Sequence, residues 1–131
     1  MGAYTELIIK ADVVRCVPPE VVGVLNFLFN AGTEPSTLPD HRFFTLERWR
    51  CIGRCSSHYH VPWTSSGYED DILFSRSDLK NYAGEIEAFL EWIDPWLDED
   101  SGKCVGWMCY EQGTPRLIFK QKEAPRWPER T

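Results

Sequence analysis

The 131-residue chain contains no run of about 18 consecutive apolar residues, which excludes a membrane-spanning helix. Residues 1–10 show no basic region followed by an apolar stretch and a small-residue cleavage site, so no export signal is expected. Glycine patterns of the Walker or dinucleotide type are missing. Basic residues are scarce, 14 against 20 acidic ones, and the net charge of −6 repels nucleic-acid phosphates, which argues against broad duplex binding. The five cysteines are an odd number, and without an export signal they are expected as free thiols in a reducing cytoplasm. What the chain has in quantity is aromatic side chains. Six Trp, five Tyr and seven Phe exclude a disordered chain and can fill one real core.

The charge is unevenly placed. Residues 1–67 are neutral, and residues 69–100 hold eleven acids against only Arg76 and Lys80. From Lys103 onward the balance returns to +3. A small basic cluster, Arg42, Arg48, Arg50 and Arg54, is offset only by Glu47.

Hydrophobic periodicity divides the chain into alternating elements. Residues 4–14 place Leu7, Ile9, Ala11 and Val13 on one side, the period of a strand with one buried face, while Ile8 makes the second face partly apolar. Pro18-Pro19 opens a helix whose stripe is Val21, Leu25 and Leu28, with Asn30-Ala31-Gly32 as its stop. Residues 43–52 read as a second strand and 71–76 as a third. Ser77 or Asp78 is expected to cap a long helix carrying Leu79, Tyr82, Ile86, Phe89, Leu90, Ile93 and Leu97, ended by Pro95. Residues 103–110 and 116–120 form a hairpin, and Cys104 and Cys109 within it look like small core residues.

The order β-α-β-β-α-β-β is that of an α+β domain on the ferredoxin-like plan, with an added C-terminal strand and two helices on one face of an antiparallel sheet. One domain over residues 1–122 and a flexible tail at 123–131 are expected. The face opposite the helices is open unless a partner or a loop covers it. This plan serves enzymes and binding proteins alike, so it assigns no function.

Three clusters carry candidate chemistry. Arg48, Trp49, Arg50, Arg54, Tyr59, Trp63 and Tyr68 combine ring planes that stack on bases with guanidinium forks that hold phosphates, the makings of a nucleotide site. The same residue types also anchor protein interfaces. Cys51, Cys55, His58 and His60 are zinc-type ligands, although their spacing is not that of a finger or ribbon. Cys55 with a nearby His would make a nucleophile pair, but no orienting group is evident. Asp70-Asp71 and Asp98-Glu99-Asp100 are adjacent acids of the kind usually solvated in turns. Glu85, Glu87, Glu91, Asp94 and Asp98 would form an acidic helix face for a basic partner.

Several stretches resemble a family of small, mostly uncharacterised proteins encoded by bacteriophages and prophages. They are Leu38-Pro39-Asp40-His41-Arg42-Phe43-Phe44, Glu47-Arg48-Trp49, Cys55-Ser56-Ser57, Leu79-Lys80-Asn81-Tyr82-Ala83-Gly84-Glu85-Ile86-Glu87-Ala88-Phe89-Leu90-Glu91-Trp92-Ile93 and Gly106-Trp107-Met108-Cys109-Tyr110-Glu111, with the opening Tyr4-Thr5-Glu6-Leu7. The resemblance implies a phage product in a bacterial host cytoplasm and carries no catalytic motif. The expectation is a non-enzymatic accessory protein that binds a host factor and inhibits a bacterial antiviral defence system, with no cofactor and its acidic face imitating nucleic acid. The competing expectation is a small-ligand protein for a nucleotide or zinc. A homodimer through the open sheet face fits either.

Overall fold

A computed structural model describes residues 3–56 and 65–121. Five strands form one antiparallel sheet: β1 (Thr5–Asp12), β2 (Gly67–Glu69), β3 (Ile72–Leu79), β4 (Cys104–Tyr110) and β5 (Arg116–Phe119). Two helices, α1 (Pro19–Phe29) and α2 (Glu85–Ile93), complete the α+β architecture. The strand order is β2-β3-β1-β4-β5, so β1 lies between β3 and β4. Tyr59, Trp63, His58 and His60, and the tail expected at 123–131, lie outside the described residues.

The period-2 pattern of β1 becomes the two faces of the sheet. Leu7, Ile9 and Ala11 are buried, and their register partners Ser77, Ser75 and Leu73 on β3 and Met108 on β4 share that face. It is closed by Val21, Val24, Leu25 and Leu28 of α1 and Ile86, Phe89 and Ile93 of α2, in a single core cluster. α1 begins with Pro at its first turn, where the missing N–H is no loss, and stops at Asn30.

The expected strand at 43–52 is not formed. Residues Arg42–Thr45 and Trp49–Cys51 are instead two 3₁₀ turns. Phe43, Trp49 and Ile52 are all buried, and in an extended chain Ile52 would point away from the other two. A turning backbone brings all three inward, and His41 starts it by accepting the Phe43 N–H on Nδ1 at 3.1 Å. The real second strand is the short β2, joined to β3 by Asp70 and Asp71, both at positive φ (54° and 61°) as a tight hairpin turn requires. These two acids are turn residues.

The second helix starts later than its hydrophobic pattern implies. Leu79 is the last residue of β3 and pairs with Thr5, and Tyr82 is exposed. Gly84 sits at φ +77°, which interrupts any helix running through it. Asn81 then takes over the capping, its Oδ1 accepting the Ile86 N–H at 2.8 Å. Pro95 falls in the 3₁₀ turn Asp94–Trp96 that ends α2, as its position implied.

Gly106 marks the closest approach within the sheet. A Cβ there would strike the Ile8 carbonyl oxygen on the neighbouring strand, next to a bulge between Cys104 and Gly106. Backbone cannot yield as a side-chain tip can. Gly106→Ala is therefore expected to lower stability by about 1–3 kcal/mol. Urea unfolding checks it, and an unchanged midpoint would contradict this packing.

Candidate functional site

The arginine–aromatic cluster is assembled differently from its expected form. Trp49 is 1% exposed, packed against Phe27, Phe43 and Phe44 at ring distances of 5.7, 5.8 and 5.0 Å. No face of its ring remains for a base to stack on. Trp49 is thus a core residue, one of seven rings from three segments that meet around Phe43, which touches Phe44, Trp49, Phe89 and Trp92. Arg50 is committed to Glu34 through a fork of 2.6 and 2.9 Å and lies 4.8 Å from the Trp49 ring. That fork holds the Glu34 carboxyl below its ordinary range. Arg48 covers Tyr82 at 5.3 Å, and Arg54 covers Phe27 at 4.3 Å. The guanidiniums thus seal aromatic edges in different places. Tyr68 is half-buried on β2, its backbone paired with Asn30, and burial pushes its phenol up.

The five acids expected on the α2 face divide between surface and interior, with Glu87, Glu91 and Asp98 exposed. Glu85 is fully buried and accepts the Arg48 and Ala83 backbone N–H groups at 3.1 Å each. Asp94 is 9% exposed and binds Lys120. Glu91 pairs with His41 and Arg42 at 3.2 Å. Glu87 and Asp98 remain exposed, with Glu87 accepting from Asn81 at 2.8 Å. A run of acids in sequence therefore becomes two structural carboxylates and a neutralised one.

Of the four metal-ligand candidates, Cys51 and Cys55 are brought together. The Cys55 N–H donates to the Cys51 carbonyl at 3.1 Å. The neighbouring Cys51 thiol pulls the Cys55 thiol down to about 7, with Arg54 assisting and burial opposing. Cys55 in turn pushes the Cys51 thiol up, reinforced by burial. Among the described residues no group of three or more His, Cys, Asp or Glu is placed to hold a metal. The thiolate is the reactive form, so a depressed pKa shifts reactivity to lower pH. Alkylation of Cys55 by iodoacetamide is expected to reach half its maximal rate near pH 7, against about 8.5 for an ordinary thiol. Peptide-resolved mass spectrometry across pH 5–10 measures it, and a midpoint at or above the ordinary value would refute the contact.

Two surfaces emerge that motif reading did not single out. On the face opposite the helices, register places Arg76, Ile8, Trp107 and Leu117 side by side across β3, β1, β4 and β5. Trp107 and Leu117 are 37% and 60% exposed, and Ile72, Phe74 and Phe119 add 38%, 43% and 42%. The Phe74 ring lies against Gly67, filling the place of the missing side chain. Charges on this face are mixed, Arg76 pairing with Glu6 at 3.0 Å. Cys104 is exposed and Cys109 half-buried, so neither is the core residue its apolar surroundings suggested. The signal for this face was the second apolar parity, Ile8, Trp107, Leu117 and Phe119, in strands that need only one.

The second surface is a groove of about 510 Å³ between α2 and the β4–β5 hairpin. Leu90, Ile93, Val105, Met108 and Ile118 line it, with Glu87 and Arg116 at its mouth. It exists because β5 extends the sheet beyond the cover of the helices.

No helix among the described residues is long and apolar enough to cross a membrane. Comparison with known proteins finds no matching family model, curated protein or solved structure.

Proposed function

We propose that this is a non-enzymatic binding protein that docks a protein partner on the open face of its sheet. The observation that carries the reading is the apolar row of half-buried Ile8 with exposed Trp107 and Leu117, flanked by exposed Phe74 and Phe119. Contiguous exposed apolar surface of this kind marks interaction sites. Trp at the centre of such a row is the residue type that dominates interface energetics. A polyanionic partner is disfavoured by the apolar character of the row and the −6 charge. The strand order and antiparallel pairing support a ferredoxin-like plan extended by β5.

The phage resemblance supplies the setting: a bacterial host cytoplasm, with a component of an antiviral defence system as the partner to be inhibited. The sheet face takes the role that the acids of α2 would have had, because Glu85 and Asp94 are turned inward. The nucleotide reading loses its stacking platform in Trp49. Zinc is the remaining alternative, and metal analysis of the purified protein decides it.

The test compares Trp107→Glu with Glu87→Lys, one on each side of the molecule. Thermal melting of both variants checks that each folds, Glu87→Lys giving up the Asn81 contact at the start of α2. A monomeric wild type that retains one host protein, with retention falling more than tenfold for Trp107→Glu and unchanged for Glu87→Lys, supports the proposal. Loss on Glu87→Lys alone would overturn it. A wild-type dimer that Trp107→Glu splits would make a second copy the occupant and overturn the host-partner reading.

A further inference from the structure

We propose that Cys51 and Cys55 form a reactive dithiol that exchanges with low-molecular-weight disulfides, Cys55 attacking and Cys51 resolving. This is independent of the sheet-face reading, because it concerns the opposite end of the core.

The argument starts from the turn. Residues 51–55 read Cys-Ile-Gly-Arg-Cys, and both Arg54 and Cys55 donate their N–H to the Cys51 carbonyl at 3.1 Å. The chain therefore doubles back over five residues and returns the Cys55 backbone to that of Cys51. Bridged cysteines have Cα atoms about 4.4–6.8 Å apart, so closure asks little of the backbone. The Cys51 and Cys55 thiols lie near enough to shift each other's ionisation.

The turn is anchored from below. Ile52 is fully buried. Gly53, at φ +74°, lies where a Cβ would run into the Phe29 ring, and its N–H donates to Ser77 Oγ at 3.1 Å. The Cys55 carbonyl accepts the Asp78 N–H at 3.2 Å. Ile52 and Gly53, between the cysteines, are therefore pinned to the core. Both cysteines are partly exposed, enough for a small disulfide to reach them. Arg54 supplies positive charge beside Cys55, an environment that favours its thiolate.

The exchange balances as follows. The Cys55 thiolate attacks one sulfur of oxidised glutathione, the glutathione S–S bond breaks, and one glutathione thiolate leaves. The Cys51 sulfur attacks Cys55 in the resulting mixed disulfide, its proton passing to a departing glutathione, and the second glutathione leaves. Two protein thiols become one disulfide, and one glutathione disulfide becomes two glutathione thiols.

The sequence offers a direct readout. Trypsin cuts after Arg50 and Arg54, so fragments 51–54 and 55–76 stay joined only through a Cys51–Cys55 bond. Reduced, metal-free full-length protein is mixed with oxidised glutathione at pH 7.5, quenched in acid, alkylated and digested. The joined pair is expected as the main oxidised product. Cys51→Ser should accumulate glutathione on fragment 55–76. Cys55→Ser should form an adduct at Cys51 more than tenfold more slowly. Thermal melting of both variants guards against misfolding, and if either fails to fold, the wild-type peptide map decides alone. A stable glutathione adduct at Cys55 without the joined pair would overturn the proposal. So would a joined pair forming no faster than the adduct at exposed Cys104.

Discussion

Trp49→Ala is expected to lower stability by about 3–5 kcal/mol, the cost of emptying a large aromatic site in a packed core. For a domain of this size that corresponds to a fall in Tm on the order of 10–20 °C. The ring is 1% exposed and touches Phe27, Phe43 and Phe44, and Phe43 in turn contacts Phe89 and Trp92. Removing it therefore leaves a cavity shared by α1, α2 and the 3₁₀ turns. The same loss strips the surface on which Arg50 lies. Trp49→Phe keeps most of the volume and should cost less than half as much. Urea unfolding with an unchanged m-value measures both. A Trp49→Ala protein that melted like wild type would show that the ring is not packed in the core as described.

The second large effect is expected at Asp94. Lys120 is 1% exposed, and its Nζ donates to the Asp94 carbonyl at 2.8 Å and to Asp94 Oδ2 at 3.3 Å. The other carboxylate oxygen accepts the Gln121 N–H at 3.0 Å. The pair ties the end of β5 to the turn that closes α2. Asp94→Ala would strand a buried ammonium on a single carbonyl, at an expected cost of about 3–5 kcal/mol. Lys120→Met should cost less, about 1–2 kcal/mol, for two reasons. Asp94 keeps 13% of its side chain in solvent and keeps the Gln121 N–H, and Met fills the volume left by the lysine stem. The double variant should fall between the two singles, because the stranded charge is gone. A double-mutant cycle reads this directly. Equal costs for the two singles would show that the pair is not buried as described.

Parts of this fold were legible without any coordinates. β1, α1 and the β4–β5 hairpin follow from patterns contained within each segment: alternation in 4–14, Pro18-Pro19 with its helical stripe, and a glycine-containing turn between two β-rich runs. The stretch 43–52 was not legible. Its aromatics suit a strand locally, but three of them must reach a core built by other segments, and only a turning backbone allows that. The start of α2 was misplaced because Leu79 belongs to the helical stripe by spacing and to β3 by pairing with Thr5. Pairing is a contact across 74 positions, and spacing is blind to it.

The candidate site divides in the same way. The proximity of Cys51 and Cys55 was visible as a spacing, although what closes the turn is Gly53 under Phe29, a contact between distant segments. The sequence by itself determined β1, α1, the β4–β5 hairpin and the composition of one aromatic core, because backbone preference and hydrophobic period are local properties. Tertiary structure decided which polar and aromatic residues are spent inside and which are left outside. Glu85, Asp94 and Trp49 went in, while Trp107, Leu117 and Phe119 stayed exposed. Burial depends on what packs against a residue, and these last three lie on the face of the sheet that neither helix covers.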